Sequence, residues 1–220
     1  MVMRETREGM RMFGNYNEYI AEEYKRFFLA SFVMLGFNHI EGDCIEFGCC
    51  GAVTLTIAYY ASRYNGAPGR HLWACDSFRG LPAPTSEFDD HPLWRSGNFA
   101  MSEKDFIAQC TKNGLPETAY TTVPGFFSET LPTMNNPNDI AMAFIDCDMY
   151  SSTIDVLKFL KPRLKHGMIL AFDDYYCYSS TQPAGEKKAF DEFKASLPEW
   201  TFIQYHNFHW AGASFIAQRA

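Results

Sequence analysis

No apolar run in this chain of 220 residues approaches the ~20 needed to span a bilayer, so a membrane-spanning helix is not expected. Clusters of lysine or arginine are missing as well. With 19 basic against 26 acidic residues the formal net charge is −7, which disfavours a nucleic-acid backbone as partner. Of the seven cysteines, an odd count, none forms a Cys-x-x-Cys pair. Most sit in or beside apolar segments (Cys44, Cys49, Cys50, Cys75, Cys147), so buried reduced thiols are expected rather than disulfides or a zinc site. The opening residues, Met1-Val-Met-Arg-Glu-Thr-Arg-Glu8, mix both charges and lack the apolar stretch of a secretory signal. The expectation is a cytoplasmic protein with a small-molecule substrate. Internal repeats and low-complexity tracts are absent too, and an apolar content of 47% suits one domain with a full core.

What is present reads as alternating strands and helices. Apolar and aromatic residues at helical spacing from Tyr16 to Leu35 form an N-terminal helical preamble, set apart as residues 1–42. Its aromatic stripe, Tyr16 to Phe32, suits a core or a dimer surface, which leaves a homo-oligomer open. Residues 43–220 make the main domain. Strands are expected at Asp43–Phe47, His71–Cys75, Tyr120–Val123, Ile140–Ile145 and Met168–Phe172, with helices at Ala52–Tyr64, Ser102–Asn113, Ser151–Leu164 and Glu186–Ser196. The Pro-, Asp- and Ser-rich stretch Leu81–Gly97, which contains His91 and Trp94, reads as a long surface loop or lid, and Tyr175–Gly185 as a second loop. Two further strands, Thr201–Tyr205 and Ala213–Ala217, joined through His206–Gly212, suit an antiparallel hairpin. The fold class is therefore α/β: a single Rossmann-like domain, its seven-stranded sheet mostly parallel with an antiparallel C-terminal edge.

Acids close the apolar runs. Ile140-Ala-Met-Ala-Phe-Ile-Asp-Cys-Asp148 ends in Asp146 and Asp148, and Met168-Ile-Leu-Ala-Phe-Asp-Asp174 ends in Asp173 and Asp174. The carboxyl ends of parallel strands line the ligand crevice of an open α/β sheet, so these carboxylates meet there. A hard, oxygen-seeking cation such as Mg²⁺ is the simplest counter-charge. Asp148 also suits a helix cap, and Asp155, inside a helix, suits solvent. The first strand ends Ile45-Glu46-Phe47-Gly48-Cys49-Cys50-Gly51, where Gly48 and Gly51 let the backbone approach a ligand. Asp76, at the tip of the second strand, is placed to accept from ribose hydroxyls. The glycine pattern departs from the dinucleotide fingerprint, and Glu46 beside the loop would repel phosphate. A cationic, phosphate-free nucleoside such as S-adenosylmethionine fits both features.

Four ordered segments, Asp76-Ser-Phe-Arg-Gly-Leu-Pro82, Val123-Pro-Gly-Phe-Phe-Ser-Glu-Thr-Leu-Pro132, Phe144-Ile-Asp-Cys-Asp-Met-Tyr-Ser-Ser-Thr153 and Phe172-Asp-Asp-Tyr175, resemble the macrocin O-methyltransferase family. These are class I S-adenosylmethionine-dependent enzymes that methylate sugar hydroxyls in antibiotic biosynthesis. The resemblance implies that Asp146, Asp173 and Asp174 hold Mg²⁺ and that Asp76 binds the ribose. Glu46 and Gly48 then face the methionine portion and Ser77, Phe78, Gly125 and Phe126 the adenine side, with Gly51 a further cofactor-binding residue. The spacing from Asp146 to Asp173 is also similar to catechol-type methyltransferases, which carry a lysine base three positions after the first metal Asp. This chain has Met149 there, leaving Asp146, or a nearby histidine such as His206 or His209, as the base.

The expectation is a Mg²⁺-dependent O-methyltransferase acting on a small-molecule hydroxyl, with a sugar of a natural product as the acceptor implied by the resemblance. Trp94, Tyr175, Tyr176 and Tyr178 are candidates for shaping the acceptor pocket. A metal-independent methyltransferase of the same fold and a non-catalytic S-adenosylmethionine-binding protein are the alternatives.

Overall fold

The segment Ile140-Ala-Met-Ala-Phe-Ile145 is buried at every position, as a strand must be when helices cover both faces of a parallel sheet. The computed structural model describes residues 15–177 and 179–219. The charged opening segment, the first part of the preamble and Tyr178 therefore lie outside the described residues.

Strands β1 (Asp43–Phe47), β2 (Leu72–Asp76), β3 (Tyr120–Pro124), β4 (Ile140–Ile145) and β5 (Ile169–Phe172) are parallel, and β6 (Trp200–Phe208) and β7 (Gly212–Arg219) complete one seven-stranded sheet in the order β3-β2-β1-β4-β5-β7-β6. Strand β7 runs antiparallel to both β5 and β6, so the C-terminal hairpin closes that edge. Chain order reverses beside β1, which pairs with β2 on one side and β4 on the other. Such a switch point opens a crevice at the carboxyl ends of the strands. Register then aligns the strand ends: Phe47 pairs with Ile145 and Ile145 with Phe172. The next residues, Gly48, Asp146 and Asp173, emerge side by side.

Helix α1 (Tyr16–Phe37) begins at Asn15, whose side chain accepts from the Asn17 N–H at 2.8 Å. Its stripe of Tyr24, Phe27, Phe28, Phe32 and Leu35 is buried. The Phe28 ring lies 5.1 Å from Phe144, and Phe27 stacks on Phe208 at 4.2 Å. The stripe therefore packs into the main core. Helices α2 (Val53–Ala61), α3 (Glu103–Lys112), α4 (Phe127–Thr130), α5 (Tyr150–Leu160) and α6 (Gly185–Ala195) follow. Helix α5 ends before Leu164 because Pro162 falls in a tighter turn at Lys161–Arg163. Strand β6 runs on to Phe208, past the expected Tyr205, with a register shift between Gln204 and His206 where the Ser214 hydroxyl accepts from the His206 N–H at 3.1 Å. A bulge hides the strand because it breaks the period-2 pattern.

The stretch Leu81–Gly97 is a loop, but it is fastened. Asp89, fully buried, accepts from the Thr85 and Ser86 N–H groups at 3.0 Å and from the Ser151 N–H at 2.9 Å. Met149, at the N-cap of α5, has no side-chain cap bond, so Asp89 satisfies an orphan donor of that helix from 62 residues away in sequence. Trp94 is only 2% exposed. A Cβ added at Gly185, whose φ is +58°, would come within 2.4 Å of the Trp94 ring, so the start of α6 needs glycine to receive it.

Candidate active site

The exit of β1 requires a glycine. Gly48 has a φ of +89°, and a Cβ there would lie 1.7 Å from the Asp146 carbonyl oxygen. Its N–H donates to the Cys75 carbonyl at 2.8 Å, while the Asp146 N–H donates to Phe47 O at 2.8 Å. Close approach of the two strand exits brings Asp146 beneath the glycine loop.

Asp76 anchors the far side. Its carboxylate accepts from the Cys49 N–H at 2.7 Å and the Phe78 N–H at 2.6 Å, tying the glycine loop to the turn after β2. Burial raises its pKa, and the two backbone donors oppose that rise. Asp76, Gly48, Ser77, Phe126, Asp146 and Asp174 line one cavity of about 570 Å³. Phe126 is backed by the Arg79 guanidinium 4.7 Å above its ring. Gly125 donates its N–H to the Asp76 carbonyl at 2.9 Å, while the Phe78 ring turns inward onto Phe106, 5.3 Å away. Gly51, Phe78 and Gly125 shape the turns around the cavity without lining it.

Glu46 is placed differently. It is 1% exposed, accepts from the Thr54 hydroxyl, and lines neither this cavity nor the adjoining one. Burial raises its pKa to about 8.

The aspartates converge. Candidate ligand oxygens of Asp146, Asp173 and Asp174 all lie within 4.8 Å of one another. Burial first, then repulsion from the neighbouring acids, raises the Asp146 carboxyl well above its ordinary range; burial also raises Asp174. Asp148 does not cap α5. With a φ of +60° its backbone turns back at the strand exit, and burial first, then the charge of Asp174, raises its pKa as well. Among the described residues no lysine or arginine forms an ion pair with Asp146, Asp148 or Asp174. Uncompensated hard oxygen donors of this kind suit a divalent cation such as Mg²⁺.

Three participants carry no local signal in the sequence. Glu186, in the first turn of α6, is fully buried and accepts from the Cys147 N–H at 3.1 Å and the Asp174 N–H at 3.0 Å, bracing the ends of β4 and β5 against each other. Tyr24 of α1 donates to Asp173 Oδ1 at 2.8 Å. His209, in the β6–β7 turn, meets the same oxygen at 3.1 Å. Of these, only His209 stood among the sequence candidates. His206 instead turns to the Asn207 carbonyl at 2.8 Å. Asp155 lines the cavity, paired with Lys158 at 3.1 Å, and does not simply face solvent. His91 and Trp94 line it too, their rings 4.5 Å apart. Tyr175 packs among Phe172, Phe190 and Phe215, and Tyr176 lies at the surface, so neither shapes the cavity. A second cavity of about 570 Å³, under α1, shares Cys50, Asp146, Asp174 and Trp210 with the first.

This arrangement has relatives. The profile of the family described as Macrocin-O-methyltransferase (TylF) matches residues 30–198. The chain belongs to this family. It is 30% identical over 143 residues to the 8-demethyl-8-(2,3-dimethoxy-alpha-L-rhamnosyl)-tetracenomycin-C 4'-O-methyltransferase of Streptomyces olivaceus, covering 62% of this chain and 54% of that one. To the demethyldecarbamoylnovobiocin O-methyltransferase of Streptomyces niveus it is 29% identical over 166 residues, 73% of this chain and 61% of that one. The chain thus spans little more than half the length of the curated relatives it matches. The solved O-methyltransferase NovP shares the fold, with a TM-score of 0.73 at 24% identity over 90% of this chain and 80% of its own. The family's methyltransferase fold accounts for the seven-stranded sheet and the crevice at its switch point.

Proposed function

We propose that this chain is an S-adenosylmethionine-dependent O-methyltransferase that works with Mg²⁺ and takes a hydroxyl of a small molecule, in particular a sugar of a natural product, as its acceptor. The observation that carries the proposal is the shared cavity: a ribose-type acid, Asp76, and the acids Asp146 and Asp174 line the same space, with Asp173 completing the cation cluster. Family membership and the relatives' names support methyl transfer and a glycosylated acceptor.

In this reading S-adenosylmethionine supplies an activated methyl group, and Mg²⁺ held by Asp146, Asp173 and Asp174 supplies acidity to the acceptor hydroxyl. Asp76 holds the ribose, while Ser77 and Phe126 flank the adenine. Phe126 and Trp94 give the cavity apolar walls that exclude water and hold the reacting groups at attack distance. Asp146 accepts the hydroxyl proton. Met149 offers no base, and His209 already donates to Asp173.

Turnover should stop in EDTA and return when Mg²⁺ is added, and Asp146→Asn, Asp173→Asn or Asp174→Asn should each remove activity while cofactor binding by calorimetry survives. Full activity in chelator would replace this proposal with the metal-independent alternative. Absence of heat with S-adenosylmethionine and its demethylated product would remove the methyltransferase reading itself.

A further inference from the structure

Asp173 takes side-chain hydrogen bonds from two distant parts of the chain. The Tyr24 hydroxyl reaches its Oδ1 at 2.8 Å from α1, and His209 Nε2 reaches the same Oδ1 at 3.1 Å from the β6–β7 turn. The tautomer follows from the other ring nitrogen. His209 Nδ1 accepts from the Ala211 N–H at 3.0 Å, so the ring hydrogen sits on Nε2 and is donated to the carboxylate. The two donors are also packed on each other, with the Tyr24 and His209 rings 5.2 Å apart and edge to face. Both are largely buried.

A carboxylate oxygen has two lone pairs, and two donors fill those of Oδ1. We infer that Tyr24 and His209 are positioning residues for the cation: they fix the rotation of the Asp173 carboxylate and leave Oδ2 as the oxygen that serves the metal. This rests on the cation reading of Asp146, Asp173 and Asp174. Removing one donor lets the carboxylate turn out of that orientation, and affinity for a hard cation falls. The N-terminal helix and the C-terminal hairpin thereby set the geometry of a site whose ligands come from neither.

Mn²⁺ binding followed by electron paramagnetic resonance, on the full chain with S-adenosylhomocysteine present, tests this without turnover. Tyr24→Phe keeps the ring packing and deletes only the hydroxyl; His209→Leu deletes the other donor. Each should weaken Mn²⁺ about tenfold or more, as loss of a partner to a ligating side chain does. Affinity for S-adenosylhomocysteine should stay unchanged. His209→Gln, whose amide can still donate, should recover most of the loss. Wild-type Mn²⁺ affinity in folded Tyr24→Phe, or failure of Gln to do better than Leu at position 209, overturns the assignment. No Mn²⁺ binding by the wild-type chain defeats the cation reading beneath it, an outcome distinct from unchanged affinity in the variants.

Discussion

Glu46 is a carboxylate in the second-last position of a buried strand, and desolvation there outweighs its bond from Thr54. Its folded pKa of about 8 stands above the ordinary glutamate value of 4.5. An acid whose pKa is raised by folding contributes stability that is fully present below its unfolded pKa and is lost as pH rises through the folded one. Denaturant midpoints of the chain should therefore fall between about pH 4.5 and 8. Glu46→Gln, which keeps an oxygen for Thr54 but cannot ionise, should flatten that fall. An unchanged slope in the variant would assign the pH dependence elsewhere, and calorimetry on the same variant would show whether Glu46 also serves the cofactor.

At the level of elements, α5 and the Leu81–Gly97 loop form one unit. Helix α5 leaves the strand end that carries Asp146, and the Ser151 N–H in its first turn is satisfied by Asp89 rather than by a neighbour in sequence. Phe88 packs on Tyr150 at 5.1 Å, and Gln182 donates to the Glu87 carbonyl at 3.3 Å, which clamps the same segment toward α6. Asp89→Ala leaves three backbone N–H groups without their acceptor and should destabilise the chain by ~1.5–3 kcal/mol, the range for hydrogen bonds to a charged group. Hydrogen exchange should quicken in residues 81–97 and in the first turn of α5 together. Faster exchange in the loop alone would mean that the two are not coupled.

Across the whole molecule, the division into a preamble and a domain is a question of where the core lies. Tyr24, Phe27, Phe28 and Phe32 share one buried cluster with Phe144, Ala171 and Phe208. Deleting residues 1–42 would strip that cover from one face of the sheet and expose a large apolar patch. We expect such a truncation to aggregate, with no cooperative melt, and a soluble, cooperatively folding 43–220 fragment would establish the boundary as a true domain limit. Loss of Tyr24 in the truncation also predicts that any refolded material binds Mn²⁺ poorly.

Much of this was legible in the chain itself. Unbroken apolar runs capped by acids specify buried parallel strands, because only a strand covered on both faces dispenses with alternation. The side that each run delivers its acid to then follows, and so do Asp146, Asp173, Asp174 and Asp76 at one end of the sheet. Length and terminal details were less visible, as with β6, whose bulge breaks the pattern that marks a strand. Contacts between distant segments were decided only by the tertiary structure. A buried Glu186, a tyrosine on an aromatic helical stripe and a histidine in a hairpin turn have no local signature, since what they do depends on partners 12 to 149 residues away. Strand register, set by packing across the whole sheet, is what brings Gly48, Asp146 and Asp173 abreast and allows those partners to reach them.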